Sequence, residues 1–355
     1  MANSNLTAAK KAKNDEFYTQ FADIEKEVLA YLDYDKHTFK GKTVLLPCDD
    51  PEWSNFTKFF VLNFKRLGLK RLISTSYAPN SNPAKINYTP SNREQLSLKF
   101  HKEKALANGR IFTLTKDAVK NWKIDWDDID WEYLEGDGDF RSNEIKKLRD
   151  EADIIVTNPP FSLFREFMAW IMEGKKQFLV IGSMNAITYK EIFPLIKENK
   201  LWLGLTINSG DREFEVPESY PLEAAGWRVD ENGRKYIRVK GVRWFTNLEH
   251  GRRHQPLTLM TQADVERFGM QAPFQKYDNY DAIEVPKTKW IPSDCKGAMG
   301  VPISFLDKYC PEQFEILGLD RYIEGNKTPN KRFTLNGVEA YARIVIRHKT
   351  QQSNR

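Results

Sequence analysis

At 355 residues, with 41% hydrophobic and 29% charged residues, the chain can build one large α/β domain and a smaller one, each with its own core. No stretch approaches the roughly 18 apolar residues of a membrane span, and the opening MANSNLTAAKKAKNDEF lacks the apolar run of a secretory signal. A net charge of +5 permits nucleic-acid binding without requiring it. Three cysteines without CxxC spacing (Cys48, Cys295, Cys310) argue against a disulfide framework or zinc knuckle, so a reduced, cytoplasmic protein with no metal is expected.

Residues 1–14 read as a flexible basic tail carrying Lys10, Lys11 and Lys13. A helix is predicted over 20–34, with Phe21, Ile24, Val28, Leu29 and Leu32 on one face. KTVLLP (42–47) predicts a strand, and 55–68 a helix stopped by Gly68. KRLISTSY (70–77) predicts a second strand, followed by a long polar insertion at about 78–135 with a helix near 92–107. DIIVTN is a third strand, 162–174 a helix closed by Gly174, and QFLVIGS (177–183) a fourth strand. A helix around YKEIFPLIKENK and strands near LWLGLTI and VRWFTN complete the set. Strands alternating with helix-length segments predict a mostly parallel sheet covered on both faces, with ligands at the strands' carboxyl ends. Beyond about residue 250 the alternation gives way to short strands punctuated by Pro and Gly, which predicts a smaller, irregular C-terminal domain over 251–355.

The apolar run Ile154-Ile155-Val156 ends in Thr157-Asn158-Pro159-Pro160-Phe161. One proline suffices to end a strand. Two in succession force Asn158 and Pro159 into extended backbone, since each precedes a proline. The Asn158 side-chain oxygen and the Pro159 carbonyl then stand as neighbouring acceptors suited to one NH2 group, with Phe161 offering a flat face to a planar ring. An exocyclic amine of adenine or cytosine is a poor nucleophile because its lone pair is delocalised. Two bonds to its protons favour a pyramidal nitrogen aimed at an electrophile, and a methyl group on a sulfonium is the natural one. A base in a duplex must flip out to reach such a loop, which costs a few kcal/mol of unstacking.

Asn-Pro-Pro-aromatic after a strand resembles motif IV of the S-adenosylmethionine-dependent amino-methyltransferases. NDEFYTQ, CDDPEWSNF, TNPPFSLFREF, RWFTNLEHGRRH and MGVPISFLDKYCPEQFEILG together resemble the EcoRI-type adenine-specific DNA methyltransferase family, over about residues 14–320. The resemblance implies a Rossmann-like methyltransferase fold over 15–250, with the insertion at 78–135, followed by a target-recognition domain. It implies Asn158, Pro159, Pro160 and Phe161 as the catalytic loop. DEFYTQ resembles motif X, which makes Phe17, Tyr18 and Thr19 contacts for the methionine part of S-adenosylmethionine. Asp49, Asp50, Asn55 and Phe56 occupy the place of motif I, without its usual glycines; alone, the two aspartates read as turn or cap residues. Ser76 and Tyr77 stand where motif II has an acid. EGDGDF resembles motif III, with Asp139 and Phe140 as cofactor contacts and Asp137 as second choice. Phe164 falls near motif V and fits a cofactor pocket or the core equally.

The basic segments complete the reading. HGRRHQ contributes Arg252, Arg253 and His254, and the C-terminal stretch contributes Lys331, Arg332, Arg343 and Arg347 against the single acid Glu339. On the resemblance these grip double-stranded DNA through phosphates, with help from the 78–135 insertion. A monomer is implied, with a cognate restriction endonuclease acting on the same site as a further partner. Two other readings stay open. One is the same chemistry on RNA or a protein glutamine amide; the other is a non-catalytic DNA-binding homologue, suggested by the missing motif I glycines.

Overall fold

The computed structural model describes residues 19–51, 54–78, 100–118, 131–207, 211–216 and 226–349. The chain divides into two compact units, one of residues 1–184 and 204–248, the other of 185–203 and 249–355. The first unit begins with α1 (Phe21–Tyr34), which buries Ile24, Glu27, Val28 and Tyr31 at helical spacing. Then follow β1 (Thr43–Leu46), α2 (Asn55–Leu62), α3 (Phe64–Leu67) and β2 (Arg71–Thr75). The helix expected over 55–68 is broken at Asn63, whose Nδ2 donates to the Phe59 carbonyl at 2.9 Å and competes with the helical ladder. Gly68 ends α3 in the left-handed region, at φ 66°.

Within the described part of the expected insertion lie α4 (Lys104–Ala107), β3 (Arg110–Thr115) and β4 (Trp131–Tyr133). Both strands extend the main sheet, while residues 79–99 and 119–130, which hold most of the helix expected near 92–107, lie outside the described residues. Next come α5 (Asn143–Glu151), β5 (Ile154–Thr157), α6 (Phe164–Glu173) and β6 (Gln177–Ser183). Gly174 follows α6 with an ordinary helical φ of −74°. It is needed as glycine because a Cβ there would stand 2.8 Å from the Arg149 side chain. Residues 185–203, in the second unit, carry α7 (Phe193–Lys197) and β7 (Trp202–Leu203). The first unit resumes with β8 (Asp211–Val216), β9 (Trp227–Val229), β10 (Lys235–Lys240) and β11 (Val242–Thr246).

In the first unit the main sheet has the order β4-β3-β2-β1-β5-β6-β11. Its centre is parallel: β1 pairs with β2 and β5, and β5 with β6. Both flanks are antiparallel, through β2–β3, β3–β4 and β6–β11. The parallel expectation therefore describes the middle of a mixed sheet. Every residue of β1 and β5 is buried, as a strand covered on both faces requires. Val44, Leu46, Ile154 and Val156 point into one core with Ile24, Val28, Phe56 and Phe59 of α1 and α2. Strands β8, β10 and β9 form a separate antiparallel sheet.

The second unit is built on a sheet of β12 (Ala282–Glu284), β13 (Ala298–Pro302), β17 (Arg343–His348) and β14 (Phe314–Leu319), in that order. A hairpin of β15 (Thr334–Leu335) and β16 (Val338–Glu339) turns at Asn336 and Gly337, both at positive φ. Tyr277, Ala282, Phe333 and Val345 make a local core.

Candidate active site

The chain leaves β1 for β2 on one side and returns to pair β5 on the other, so strand order reverses between β1 and β5. Crevices at such reversals, beyond the strands' carboxyl ends, are where open α/β sheets bind ligands. The register Val44 opposite Ile154 and Leu45 opposite Ile155 sets the loop after β1 (Pro47 to Asp50) beside Thr157-Asn158-Pro159-Pro160-Phe161.

Asp49 ties these two loops together. Its Oδ2 accepts from Thr157 Oγ1 at 2.6 Å and its Oδ1 from Ser54 Oγ at 2.7 Å, all buried. Ser54 is also the N-cap of α2, accepting from the amides of Phe56 and Thr57. The Asp49 amide donates to the Thr75 carbonyl, and the Asp49 carbonyl accepts from Ser74 Oγ. Asp50 makes a buried ion pair with Arg110 Nη2 at 2.5 Å. The ends of β1, β2, β3 and β5 are thus laced together by two adjacent carboxylates.

Asn158 is half-buried, with its side-chain oxygen shielded from solvent. Pro159 is buried, and the Pro160 carbonyl caps the turn by accepting from the Leu163 amide at 3.0 Å. Phe161 is 3% exposed and belongs to the core shared with Val44 and Val156, so its ring is covered rather than presented to a guest.

Of the motif X residues, Phe17 and Tyr18 lie outside the described residues. Thr19 is buried, and its carbonyl accepts from Asn55 Nδ2 at 2.9 Å, which joins two positions expected to share the cofactor. Thr19 Oγ1 and Gln20 Nε2 are both buried without a hydrogen-bond partner among the described residues. Buried polar atoms of this kind are costly unless something satisfies them. The Gln20 amide N–H groups can donate to a carboxylate and the Thr19 hydroxyl can donate to it or accept from an ammonium, so these residues fit the methionine end of S-adenosylmethionine. Phe56 is core and meets Trp244 edge-on.

The acidic loop after β4 reaches the end of β2. The Ala78 amide donates to the Asp137 carbonyl at 2.7 Å, and Gly109 and Gly138 crowd the Ser76 carbonyl. A Cβ would stand 2.4 Å from that oxygen at Gly109 and 2.1 Å at Gly138, so neither position admits a side chain. Ser76 itself is buried and pins β3, its Oγ accepting from the Arg110 amide at 3.1 Å. The Asp139 carboxylate is taken up by Arg141, through Nε at 2.9 Å and Nη2 at 2.6 Å. Burial pushes the Asp139 pKa up, but the bonds to Arg141 and its charge outweigh this and hold it below the usual range. Asp137 Oδ1 accepts from the Asp139 amide. Phe140 packs edge-on against Phe167 and Trp170 of α6, and Phe164 is wedged against Gly182 and Phe245 as a core residue.

Among the basic candidates of the second unit, Arg253 and Arg343 are buried. Arg253 lies 3.9 Å over the Trp202 ring and donates to Asn199. Arg343 forks onto Glu284, which also accepts from the Tyr277 hydroxyl. Their charges serve the fold from inside. His254 bridges Glu249 and Glu312, Arg347 pairs with Glu315, and Arg332 lies 3.5 Å from Glu339. Lys331 is exposed and Arg252 half-buried. His250 is buried, accepting from the Arg253 amide at Nδ1 and facing the Leu203 carbonyl with Nε2, which fixes its neutral tautomer. Burial, with the neighbouring arginine charges, pushes its pKa down to about 4.

Sequence reading missed Glu27, Thr157, Ser54 and Arg110. Glu27 is fully buried on the apolar face of α1, accepting from the Leu205 and Thr206 amides, Thr206 Oγ1 and the Tyr31 hydroxyl. The signal was present, since Glu27 falls between Ile24 and Val28 on the inward stripe.

A mixed α/β sheet whose strand order reverses beside a Thr-Asn-Pro-Pro-Phe loop has the architecture of an amino-methyltransferase. The chain belongs to the family of adenine-specific methyltransferases of the EcoRI type, whose family model matches residues 5–349. It is 43% identical over 350 residues to the Type II methyltransferase M.EcoRI of Escherichia coli, covering 99% of this chain and 98% of that protein. It is 38% identical over 357 residues to the Type II methyltransferase M.MpnI of Mycoplasma pneumoniae, covering 96% and 97%. No solved structure matches the chain.

Proposed function

We propose that this methyltransferase acts on DNA, receiving a flipped adenine at the Thr157–Phe161 loop and S-adenosylmethionine in the crevice at the ends of β1, β2 and β5. The observation that carries the reading is the buried bond between Thr157 Oγ1 and Asp49 Oδ2, which fixes the base-holding loop against the loop in the motif I position. The central parallel strands and their reversal point correspond to a Rossmann-like core, and the second unit to the target-recognition domain.

S-adenosylmethionine, when bound, supplies a methyl group on a sulfonium centre. Thr19 Oγ1 and Gln20 Nε2 are the groups for its amino-acid end, with Asn55 holding that segment in place. Asp137 rather than Asp139 is the acid for its adenosine, because Arg141 already occupies Asp139. The Asn158 side-chain oxygen and the Pro159 carbonyl accept hydrogen bonds from the two N6–H groups and direct the nitrogen lone pair outward from the loop. Covered as it is, Phe161 supports the loop from below, and holding the base falls to the two acceptors. The DNA partner, a cognate restriction endonuclease, a monomeric state and a cytoplasmic location belong to the same reading. Among the described residues no helix is long and apolar enough to cross a membrane.

Transfer of tritium from labelled S-adenosylmethionine to duplex DNA tests this. The protein is expected to label duplex containing its site, and Asn158→Ala to lose transfer at least a hundredfold while binding the cofactor as before. Absence of label on any duplex would sink the reading.

A further inference from the structure

The second unit holds a cavity of about 310 Å³ whose lining includes none of the candidate active-site residues. Its wall is the segment Gln255-Pro256-Leu257-Thr258-Leu259, and Arg252, Lys289 and Lys308 contribute cations around it. Among the described residues no acidic side chain lines it. The wall is held in place, because Gln313 takes the Leu257 amide with Oε1 at 2.7 Å and donates to the Leu257 carbonyl with Nε2 at 2.9 Å. Arg252 is set by its neighbour: buried Arg253 anchors the short turn Gly251–His254 on Trp202, which leaves Arg252 at the cavity. Lys289 and Lys308 are exposed, and Lys287 and Lys289 both approach the Trp290 ring, so positive charge accumulates along this edge.

A separate observation points to a ligand. Thr288 Oγ1, in the cavity lining, is buried and has no hydrogen-bond partner among the described residues. A dry hydroxyl next to three cations and no carboxylate matches the chemistry of a phosphodiester, whose anionic oxygens accept from all four groups.

We infer that this trough is a seat for the sugar–phosphate backbone of the DNA substrate, with Arg252, Lys289 and Lys308 pairing with phosphate and Thr288 donating a neutral hydrogen bond. The inference rests on the proposed action on DNA and assigns two lysines and a threonine that no basic run in the sequence marks. It concerns affinity and register, because phosphate contacts position a duplex without reading its sequence.

The test is binding of a fluorescent duplex by anisotropy across a salt series, with the full chain. The double variant Lys289→Gln/Lys308→Gln is expected to bind more weakly and to lower the slope of log K against log salt by about two, one per phosphate contact removed. Thr288→Val is expected to weaken binding several-fold with the slope unchanged, since it removes no charge. These are surface or near-surface changes, and circular dichroism melts check that the fold survives them. Parental affinity and slope in the double variant, with the parent methylating the same duplex, would overturn the trough and leave the functional reading standing. Failure of the parent to methylate any duplex would overturn both together.

Discussion

Thr157→Val isolates the bond that joins the two halves of the crevice. Valine keeps the β-branched shape and sits as well in β5, so the change removes one hydroxyl and little else. That hydroxyl is fully buried and donates at 2.6 Å to a carboxylate oxygen that is itself buried. A hydrogen bond to a charged group contributes about 1.5–3 kcal/mol, so unfolding in urea should show a loss of about 2 kcal/mol by linear extrapolation. The catalytic effect is separable. Thr157 directly precedes Asn158, and if its anchoring aims the acceptor pair, a further loss of about 1.4 kcal/mol in the transition state appears as a tenfold fall in kcat. Steady-state methyl transfer at saturating cofactor and DNA measures this. Because Ser54 Oγ donates to the other oxygen of the same carboxylate, a cycle with Ser54→Ala should show coupling well above experimental error. Stability within about 0.5 kcal/mol of the parent would refute the bond's structural weight. Lost stability with unchanged kcat would refute its role in aiming Asn158.

Glu27→Gln should destabilise the first unit by about 1–3 kcal/mol in the same urea assay. Four donors converge on two carboxylate oxygens, and the glutamine amide turns N–H groups toward one pair of them. His250 gives a pH signature. Its folded pKa lies near 4 against an ordinary 6.5, so the unfolded chain takes up the proton first as pH falls. The stability present above pH 6.5 should decline by about 3 kcal/mol between pH 6.5 and 4. His250→Gln should flatten that part of the stability profile, and a parental slope in the variant would count against the assignment.

What the sequence made legible follows from how local its causes are. β1, β5 and β6 were readable because strands buried on both faces leave an uninterrupted apolar run. The ends of α3 and β5 were readable because Gly68 and Pro159 act on their own backbones. The candidate site was legible where its geometry is set by neighbours in the chain, as in Asn158-Pro159-Pro160, whose prolines fix the backbone locally. It was not readable where the partner is remote. Nothing in CDDPEW says that Asp50 meets Arg110, or that an acid at 27 receives amides at 205 and 206. Covalent order also hid which of two adjacent arginines, 252 and 253, faces inward, since that depends on Trp202. The flank of β3 and β4 escaped because both strands lie in the stretch read as a polar insertion, and the antiparallel sense of β11 escaped because strand direction depends on remote pairing.

The two carboxylates after β1 reach far along the chain: Asp50 to Arg110 across 60 residues, and Asp49 to Thr157 across 108. Closing loops of that length must precede any gain from the contacts they permit. The crevice is therefore a late product of folding. On a ribosome, Asp49 waits for a partner that emerges about a hundred residues afterwards, so no fragment that stops short of β5 can close this crevice.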